Sequence, residues 1–381
     1  MKKILIASTA LVAAGFITTG TASASDKIKL ELGGYSKWWV VGQWNKNKYQ
    51  SAKGVDYNSV DVKGDNEVWF AGETTLDNGM KVGVNVELEA GGDKGSSNSS
   101  ATSDTIDQSF VYVAGGFGKI IAGTAANGTV LLHVMAPDAA SNWGSENIAY
   151  NAIDVSKSNA RKTTEIDTDD NAEKITYVAP TFYGLTVGAT YIPNAMREDN
   201  RGLTTLSNTS AATLGSEAYG AGALYAKEFG PVGLKVSSGW VHYDLSGPVG
   251  IAKSSNEWSA GTQIAIGGFT VGGSYRGINA EHNAALQGYG LSRGHVWDAG
   301  VAYATGPYSV SFSTLQSVAE GVTAHTDQTL SNYQLSGKYA MAPGVDVLAS
   351  VAYVKAKDES DATEAGENKG WTAMTGLSLT F

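Results

Sequence analysis

Residues 80–89 alternate between apolar and polar side chains along their whole length. Val82, Val84, Val86 and Leu88 are apolar, whereas the residues between them are charged, amide-bearing or glycine. A period of two places successive side chains on opposite faces, so this segment predicts a β-strand with one apolar and one polar face. A single strand of this kind also suits the half-buried sheet of a soluble protein. The same pattern recurs along the chain without an intervening helical period, which favours an all-β transmembrane barrel.

The predicted strands are joined alternately by short turns and by longer polar loops. The first three strands cover about 28–41, 67–76 and 80–90, and the Asn78-Gly79 dipeptide is a strong hairpin signal because both residues tolerate positive φ. Seven short turns are predicted at 77–79, 115–118, 180–184, 229–231, 267–268, 305–307 and 342–344. With a first and a last strand added, they indicate about 16 antiparallel strands in one domain, with short periplasmic turns and long external loops.

The first residues have the three-part layout of a secretory signal peptide. Two lysines follow the initiating methionine, residues 4–17 are largely apolar, and Ala-Ser-Ala at 22–24 is a small-x-small cleavage site. This layout predicts a signal peptide over residues 1–24 and a mature barrel domain over residues 25–381. An anchor helix is the alternative, but the apolar run is shorter than the roughly 18 residues that span a bilayer. The mature protein is therefore expected in the cell outer membrane.

Composition narrows the functional classes. The sequence has no cysteine, so disulfides and thiolate chemistry are excluded. Removing the two lysines of the signal peptide from 27 basic residues leaves 25 against 37 acidic residues, a net charge of −12. Nucleic-acid-binding domains carry the opposite sign, so no nucleic acid is expected as a partner. Glycine is abundant without the periodicity of collagen, and it suits turns and close packing within a barrel.

No metal site and no cofactor are predicted. The five histidines lie far apart, at positions 133, 242, 282, 295 and 325, without metal-ligand spacing. Residues 167–171 read Asp-Thr-Asp-Asp-Asn and have the alternating acids of a calcium loop. Ala172 replaces the turn glycine of such a loop, however, and no glutamate closes it. A solvated acidic loop is therefore favoured, and a weak divalent-ion site stays open as the alternative.

Aromatic residues are predicted to form two girdles at the membrane surfaces. One group lies beside the short turns and consists of Phe117, Phe182, Tyr183, Phe229, Phe269, Tyr308, Tyr339 and Phe381. The other group lies beside the long loops and consists of Trp38, Trp240, Trp258, Trp297 and Trp371. Aromatic residues that merely favour strands would be spread along them. The final strand alternates up to its terminal aromatic residue and is expected to close the barrel by pairing with the first strand.

Five motifs in order along the chain resemble the general porin family of Gram-negative bacteria. They lie at 70–81, 110–118, 177–184, 339–345 and the terminal Phe381. The first is similar to the family's F-x-G-E stretch with its following N-G turn, and the third to its P-x-F-x-G turn. The resemblance spans nearly the whole mature chain. It implies a homotrimer of 16-stranded barrels in outer-membrane lipid and lipopolysaccharide, each with a channel for passive diffusion of small hydrophilic solutes and ions.

The resemblance also implies that the third long loop folds into the barrel and narrows the channel. That loop covers about 125–171 here, is the longest in the chain, and follows the fifth predicted strand. A structureless loop of that length would be unusual in an ordinary compact domain. A loop packed into a lumen accounts for it.

The alternation of each strand assigns its side chains to lipid or to the lumen. The side chains predicted to face lipid on three strands near the third loop are Val68, Phe70, Phe110, Tyr112, Ile175 and Tyr177. Those predicted to face the lumen are Glu67, Trp69, Ala71, Glu73, Asp107, Ser109, Asp170, Ala172 and Lys174.

The lumen positions carry acids where many general porins carry arginines. The family's arginine positions correspond here to Glu67, Asp107, Asp170 and Thr124. The remaining inward cations are Lys37, Lys81, Lys174, Arg276 and Lys338. The third loop adds Asp138, Glu146, Asp154, Glu165, Asp167 and Asp169, against Lys157, Arg161 and Lys162. This pattern predicts a cation-preferring pore with a weak transverse field, unless the acids lie in mobile mouth loops where salt screens charges beyond roughly 8 Å.

Two other functional classes stay open. A channel specific for a sugar or an anion is one, because Tyr35, Trp39 and Trp69 can face the lumen as an aromatic slide. A barrel enzyme is the other, and it would need a histidine beside a serine or an aspartate at the barrel mouth. No motif points to catalytic residues of this kind, and a barrel of this size leaves an aqueous lumen. The chain is therefore expected not to be an enzyme.

Overall fold

Sixteen antiparallel strands form one closed barrel in the computed structural model, which describes residues 27–90, 106–141, 147–195, 215–246, 254–280, 292–323 and 326–381. The predicted signal peptide, Glu146 and the histidines at 282 and 325 lie outside the described residues. Each strand is hydrogen-bonded to the strands that precede and follow it, and the first strand also pairs with the last. The predicted fold class and the predicted number of strands are confirmed.

The strands are β1 Glu31–Asn45, β2 Val60–Thr75, β3 Lys81–Glu89, β4 Ile106–Gly115, β5 Gly118–Thr124, β6 Glu173–Val178, β7 Leu185–Ile192, β8 Gly215–Phe229, β9 Val232–Ser246, β10 Ser254–Ile266, β11 Phe269–Ala280, β12 Gly294–Thr305, β13 Tyr308–Ala319, β14 Gln328–Ala342, β15 Val345–Asp358 and β16 Glu367–Thr380. The helices are α1 Asn47–Lys53, α2 Gly128–Leu131, α3 Ile148–Ala152 and a 3₁₀ turn at Glu364–Gly366. Among the described residues, no helix has both the length and the apolar character needed to cross a bilayer.

All seven predicted short turns join consecutive strands at the same end of the barrel. At the first turn, the Leu76 amide donates to the Met80 carbonyl at 2.7 Å, and Gly79 has a φ of +80°. Glycine suits this position because residues with a side chain rarely adopt that backbone conformation. The loops at the opposite end are longer, and the longest covers residues 125–172 between β5 and β6.

The barrel closes where β1 meets β16. The register of this pair runs from Tyr35 opposite Thr380 to Asn45 opposite Gly370. Next to the Tyr35–Thr380 pair, Gly34 and Phe381 exchange backbone hydrogen bonds of 3.0 and 3.1 Å. Closure removes the two free edges that an open sheet would present to other chains or leave unsatisfied in lipid.

The outer face of the barrel is apolar and the inner face is polar. Leu32, Val62, Val111 and Leu335 are among the large apolar side chains that lie exposed on the outside. The inner face carries serines, asparagines, glutamines and charged residues, many of them buried. An exposed apolar band of this extent would drive association in water, whereas hydrocarbon covers it in a bilayer.

The predicted lipid-facing orientation of Phe110 and Tyr112 is wrong. Phe110 is 4% exposed and points inward, whereas Val111 between them is 55% exposed on the outside. Tyr112 also points inward, where its hydroxyl donates to an acid of β2 at 2.9 Å. The cause is a bulge in the pairing of β3 with β4, where the register shifts between Val86 and Leu88. One extra residue on β4 reverses the facing of the side chains beyond it, so simple alternation fails along that strand.

Most residues of the two predicted aromatic groups lie exposed on the outer surface near strand ends. Those beside the short turns include Phe117, Phe182, Tyr339 and Phe381. Those nearer the long loops include Trp258, Trp297 and Trp371. The rings therefore lie where amphipathic side chains would meet the two membrane–water interfaces.

Trp38 departs from its predicted place beside a long loop. It lies near the middle of β1, opposite Gly64 and Leu377, and Trp44 instead lies opposite Trp371. The reason is that β1 continues to Asn45, beyond the predicted end at residue 41. Polar residues at the end of β1 suggested a loop, but on the inner wall of a barrel they are compatible with a strand.

Candidate functional site

The third loop, residues 125–172, folds into the barrel and lies along its inner wall. In its described parts, backbone amides of the loop donate to polar side chains on strands β7, β9, β12 and β13. These bonds join Gly128 to Thr190, Val134 to Ser237, Ala136 to Asp298 and Ala139 to Ser311, at 2.8 to 3.0 Å. A loop inside a barrel has no neighbouring strand to pair its backbone N–H and C=O groups, so side chains on the wall must bind them. The wall from β7 to β13 therefore fixes the path of the loop.

Glycines on this wall let the loop backbone approach closely. A Cβ at Gly261 on β10 would lie 1.9 Å from the Val134 carbonyl oxygen, and a Cβ at Gly222 on β8 would lie 2.7 Å from the Gly128 carbonyl oxygen. Real Cβ contacts are essentially never shorter than 3.0 Å. The absence of a side chain at Gly222 and Gly261 therefore determines how closely the loop lies against the wall.

Arg276 on β11 was predicted to line the pore, but the structure buries it between the loop and the wall. Its side chain is 0% exposed and pairs with Glu257 on β10 and with Asp167 of the loop, at 2.6 Å each. It also donates to the Thr168 hydroxyl at 2.8 Å and to the Glu165 carbonyl oxygen. A guanidinium carries five donors, so it can bind acceptors from both elements at once. Arg276 attaches the returning arm of the third loop.

Lys174 on β6 points inward as predicted, but the third loop covers it. Its side chain is 1% exposed, and its ammonium pairs with Asp169 at 3.0 Å. Thr124, the neutral residue at one of the family's arginine positions, is also buried, and its hydroxyl donates to the Ser109 carbonyl oxygen at 3.1 Å. Asp169 and Asp167 are alternating acids of the segment that is similar to a calcium loop. Each is bound to a basic side chain, so they do not share a common centre.

Asp154, predicted at the constriction, binds the third loop to α1 in the first loop. One carboxylate oxygen accepts from the Tyr49 hydroxyl at 2.7 Å, the Tyr57 hydroxyl at 2.5 Å and the Lys53 ammonium at 2.8 Å. Burial alone would raise the pKa of Asp154, but hydrogen bonds from Lys53, Ser156 and the two tyrosines hold that pKa well below its usual range. The negative charge of Asp154 therefore stabilises the contact between the first and third loops.

Asp138 is the other described loop acid predicted at the constriction, and it lies against β13. Its carboxylate accepts from the Ala140 amide at 3.1 Å and from the Ser311 hydroxyl at 3.3 Å. These contacts hold a turn of the loop against the wall. Glu146, the third loop acid predicted at the constriction, is not among the described residues.

An acidic wall lies on the part of the lumen formed by β2, β3 and β4, and consists of Glu67, Glu89 and Asp107. One carboxylate oxygen from each residue lies within 4.8 Å of those from the other two, and all three residues are half-buried. The Tyr35 hydroxyl donates to Glu67 at 2.7 Å, and the Asn171 amide of the third loop donates to Asp107 at 2.7 Å. Carboxylate oxygens are the ligands that hard divalent cations such as Ca²⁺ prefer. The wall thus concentrates negative charge beside the end of the third loop.

Asp170 approaches the acidic wall from the end of the third loop. Its φ is +40°, in the left-handed region that residues with a side chain seldom adopt. Burial raises the pKa of its carboxyl, and the nearby Asp167 and Asp107 raise it further, while Lys174 lowers it. The end of the loop therefore places a further carboxyl group next to the acidic wall.

The remaining predicted pore cations are paired with acids. The ion pairs join Lys37 to Asp65 at 2.8 Å, Lys81 to Glu73 at 2.7 Å and Lys338 to Asp346 at 3.7 Å. Lys119 and Lys235 also point inward, each close to a short turn. The Lys119 ammonium lies 3.9 Å from the centroid of the Tyr112 ring. Lys37 lies close to the acidic wall, because the Tyr35 hydroxyl contacts both its partner Asp65 and Glu67, whereas the other inward cations named here lie near the short-turn end.

An aromatic slide that includes Trp39 is not formed. Tyr35 and Trp69 face the lumen with ring centroids 6.3 Å apart. Trp39 is 1% exposed and packs in a cluster with Tyr150 and Ile153 of the third loop. The ring of Trp39 therefore supports the loop and is not available to a solute.

One histidine lies beside a hydroxyl and an acid. His133 Nε2 is 3.1 Å from the Thr164 hydroxyl, which donates to Asp298 at 3.1 Å, and Ser274 donates to the same carboxylate at 2.8 Å. Burial, and then the charge of Arg276, lower the pKa of His133 to about 3. In a hydrolytic triad the acid orients the histidine ring, whereas Asp298 contacts hydroxyl groups here. This cluster attaches the loop to the wall.

Sequence reasoning did not single out Glu89 as a partner of Glu67. The two residues are opposite each other in the β2–β3 hairpin. A signal was present, because both lie 11 positions from Asn78 in the turn, and a hairpin turn fixes the register of its strands. Glu257 and Asn127 gave no comparable signal, since their roles depend on contacts between the loop and the wall.

Comparisons with known proteins agree with this architecture. A family model described as a Gram-negative porin matches residues 7–359. A similar solved structure is an anion-selective porin from Comamonas acidovorans, with 17% identity, a TM-score of 0.63, and coverage of 93% of this chain and 100% of that chain. Another is a mutant porin of Rh. blastica, with 15% identity, a TM-score of 0.55 and the same coverage of both chains. A search of the curated proteins found no significant match.

Proposed function

Because this chain belongs to the Gram-negative porin family, we propose that it forms a water-filled, cation-preferring channel in the outer membrane. The family and the barrel fold support a non-enzymatic channel for passive diffusion and imply the outer membrane as its location. The solutes are small and hydrophilic, because they cross through an aqueous lumen. Selectivity among ions depends on which charges meet them there.

The acidic wall of Glu67, Glu89 and Asp107 carries this proposal. Each of its three carboxylates contributes an oxygen that lies within 4.8 Å of the other two. In the described part of the chain, Arg276 is paired with Asp167 and Glu257 and Lys174 with Asp169, so their charges are compensated within these pairs and offset little of the charge of the wall. Two unit charges 4 Å apart interact by about 1 kcal/mol even in bulk water, which changes a local ion concentration by about fivefold. A cation is therefore favoured over an anion beside this wall.

Anion preference is the competing possibility, because one structurally similar protein is an anion-selective porin. That likeness, at 17% identity, concerns the fold. Charge selectivity depends on the side chains along the pore, which differ between proteins of the same fold. The acidic wall supports the opposite sign for this chain.

The reversal potential in a potassium chloride gradient across a planar bilayer tests the proposal. The wild-type channel should give the cation-selective sign. The triple variant Glu67→Gln/Glu89→Gln/Asp107→Asn removes the charge of the wall and nearly keeps its size. Its ratio of potassium to chloride permeability should be lower by roughly fivefold or more, as expected from the loss of unscreened charges close to the ion path.

Glu217→Gln is the matched control, because it removes one acid from the outer surface of β8. That carboxylate accepts from the Tyr191 and Tyr219 hydroxyls at 2.8 and 2.7 Å and lies away from the lumen. Its permeability ratio should equal the wild-type ratio. A wild-type potential of anion-selective sign, or equal ratios for the triple variant and the control, would contradict the proposal.

A sugar-specific channel is the second candidate, and it is supported by the lumen-facing rings of Tyr35 and Trp69. The Lys37 ammonium lies 4.2 Å from the centroid of the Tyr35 ring, so one face of that ring is already in contact with a cation. Saturable block of the channel current by one sugar would favour the specific channel. Passage of many sugars according to size alone would favour general diffusion.

We also infer a homotrimer surrounded by outer-membrane lipid and lipopolysaccharide. The family supports this assembly, and the apolar outer surface with aromatic rings near strand ends supports the contact with lipid. Light scattering on the detergent-solubilised protein should give the mass of three chains after subtraction of the detergent. The mass of a single chain would contradict the inference.

A further inference from the structure

Lys174 lies at the neck of the third loop, where the loop leaves β5 and returns to β6. Its ammonium donates to the Ala125 carbonyl oxygen in the outgoing arm and to the Asp170 carbonyl oxygen in the returning arm, both at 2.6 Å. Its third contact is the ion pair with Asp169, at 3.0 Å. One side chain thus joins both arms of the loop.

The contacts of this ammonium match its chemistry. An ammonium has donors and no acceptor, and here it donates to two carbonyl oxygens while the Asp169 carboxylate lies at ion-pair distance. The side chain of Lys174 is 1% exposed and that of Asp169 is 0% exposed. A buried charge requires such partners, because an unpaired charge in this environment would be strongly unfavourable. The site is built to hold a cation between two segments and not to present one to solutes.

Asp169 links the same neck to the barrel wall and to α2. Its other carboxylate oxygen accepts from the Asn127 amide at 2.7 Å and from the Tyr243 hydroxyl of β9 at 3.2 Å. Asn127 also donates to the Ile166 carbonyl oxygen at 2.8 Å. The cluster therefore connects the outgoing arm, the returning arm and the wall through Lys174 and its acid partner.

We propose that Lys174 is a positioning residue that holds the two arms of the third loop together and so keeps the channel open and steady. The inference rests on the proposed channel function. The returning arm carries Asp170 and Asn171 next to the acidic wall, so a movement of the neck changes the solute path there. Asp170 has a φ of +40°, and the bond from Lys174 to its carbonyl oxygen stabilises this uncommon conformation.

A positioning role and a pore-lining role predict different measurements. A lysine that lined the channel would act on ions through its charge, so its removal would change ion selectivity. A lysine that holds the neck would act through the position of the loop. Its removal would increase spontaneous closures and noise in the open-channel current, with a smaller effect on selectivity.

The absence of cysteine from the sequence allows a direct test. The variant Lys174→Cys has a single thiol, which is alkylated in the unfolded protein. One portion reacts with 2-bromoethylamine, whereby the sulfur displaces bromide and the product regains an ammonium at nearly the original position. A second portion reacts with 1-iodopropane and gains a neutral chain of the same length. Both proteins are refolded in detergent, and their folding is checked by heat-dependent mobility on gels.

The ammonium form should close as rarely as the wild-type channel in single-channel recordings. The neutral form should close at least about tenfold more often at the same voltage, because loss of charge-assisted hydrogen bonds changes an equilibrium by that factor or more. Equal closure rates in the two forms would overturn the proposal. A changed permeability ratio with an unchanged closure rate would also overturn it, because that result identifies a pore-lining charge. An anion-selective wild-type channel would overturn only the proposed cation preference. The comparison of closure rates would still test whether Lys174 holds the two arms of the third loop together.

A second variant covers the case in which the neutral form does not refold. Asp169→Asn removes the ion pair but leaves both carbonyl acceptors of Lys174, so it should fold and close more often than the wild type. Lys355→Met is the matched control, because it removes a partly exposed lysine of β15 that is paired with Glu367 of β16 at 3.2 Å, away from the neck of the third loop. It should close at the wild-type rate. A wild-type closure rate for Asp169→Asn would overturn the proposal.

Discussion

Replacement of Gly261 by alanine should displace the third loop without changing any charge. The added Cβ would lie 1.9 Å from the Val134 carbonyl oxygen, whereas real contacts are essentially never shorter than 3.0 Å. The two atoms must therefore separate by about 1.1 Å, the difference between these distances. Because β10 is hydrogen-bonded to β9 and β11 along its length, the loop is the part expected to move, towards the lumen.

This displacement should reduce the channel conductance and leave the barrel itself intact. It would weaken the bond from the Val134 amide to the Ser237 hydroxyl, which is 3.0 Å in the structure. Overpacking typically costs about 1–3 kcal/mol. That cost would fall mainly on the attachment of the loop, because the strand ladders need not change. We expect a lower single-channel conductance, a noisier open-channel current and an almost unchanged temperature of barrel unfolding.

Gly233→Ala provides the matched control on the neighbouring strand. The nearest heavy atom to its added Cβ is the Ala265 Cβ at 3.6 Å, an ordinary contact. Both substitutions restrict the unfolded chain to the same degree, so that effect cancels in the comparison. Single-channel conductance in a planar bilayer is measured for both proteins. Equal conductance of the two variants and the wild type would refute the idea that the glycine at 261 sets the position of the loop.

Three further predictions concern charge and processing. The folded protein lowers the pKa of Asp154, so the contacts of its carboxylate should stabilise the first loop at every pH above about 4. They should be lost as the pH falls through the lowered pKa, and the loss should appear as faster proteolysis of the first loop. Asp154→Asn should make that loop more susceptible at neutral pH. Arg276→Met should destabilise the protein by roughly 3–5 kcal/mol in denaturant titrations, because Glu257 would remain buried without its cation, and Glu257→Gln in the same chain should restore part of the loss. The intact mass of protein isolated from outer membranes should lack residues 1–24, and a full precursor mass would contradict the signal peptide.

The barrel could be predicted because its determinants are local. Alternation within a strand fixes its two faces, and a dipeptide such as Asn78-Gly79 fixes a turn without reference to the rest of the chain. The one strand on which alternation gave the wrong facing was also misread for a local reason. The bulge opposite Val86 and Leu88 reversed the facing of Phe110 and gave no sign in the sequence.

The interior could be predicted only in part, because alternation gives the direction of a side chain but not what covers it. Lys174, Arg276 and Trp39 all point inward, as the alternation along their strands predicts, yet the third loop buries each of them. Glu67 on β2 and Asp107 on β4 are half-buried in the structure, and their role in the channel stays a prediction. The path of a long loop depends on many separate contacts with the wall, and no periodicity encodes it.

The pairing of β1 with β16 has a consequence for how the protein matures. Asn368 donates to Asn45 across 323 positions of sequence, whereas the other neighbouring strands are consecutive. Pairing over such a distance raises contact order and slows folding, so the hairpins can form well before this seam. Until then the chain carries two unpaired strand edges that can recruit other chains. Chaperones that shield these edges during transit should therefore govern the yield, and deletion of β16 should lead to aggregation or degradation and not to a smaller pore.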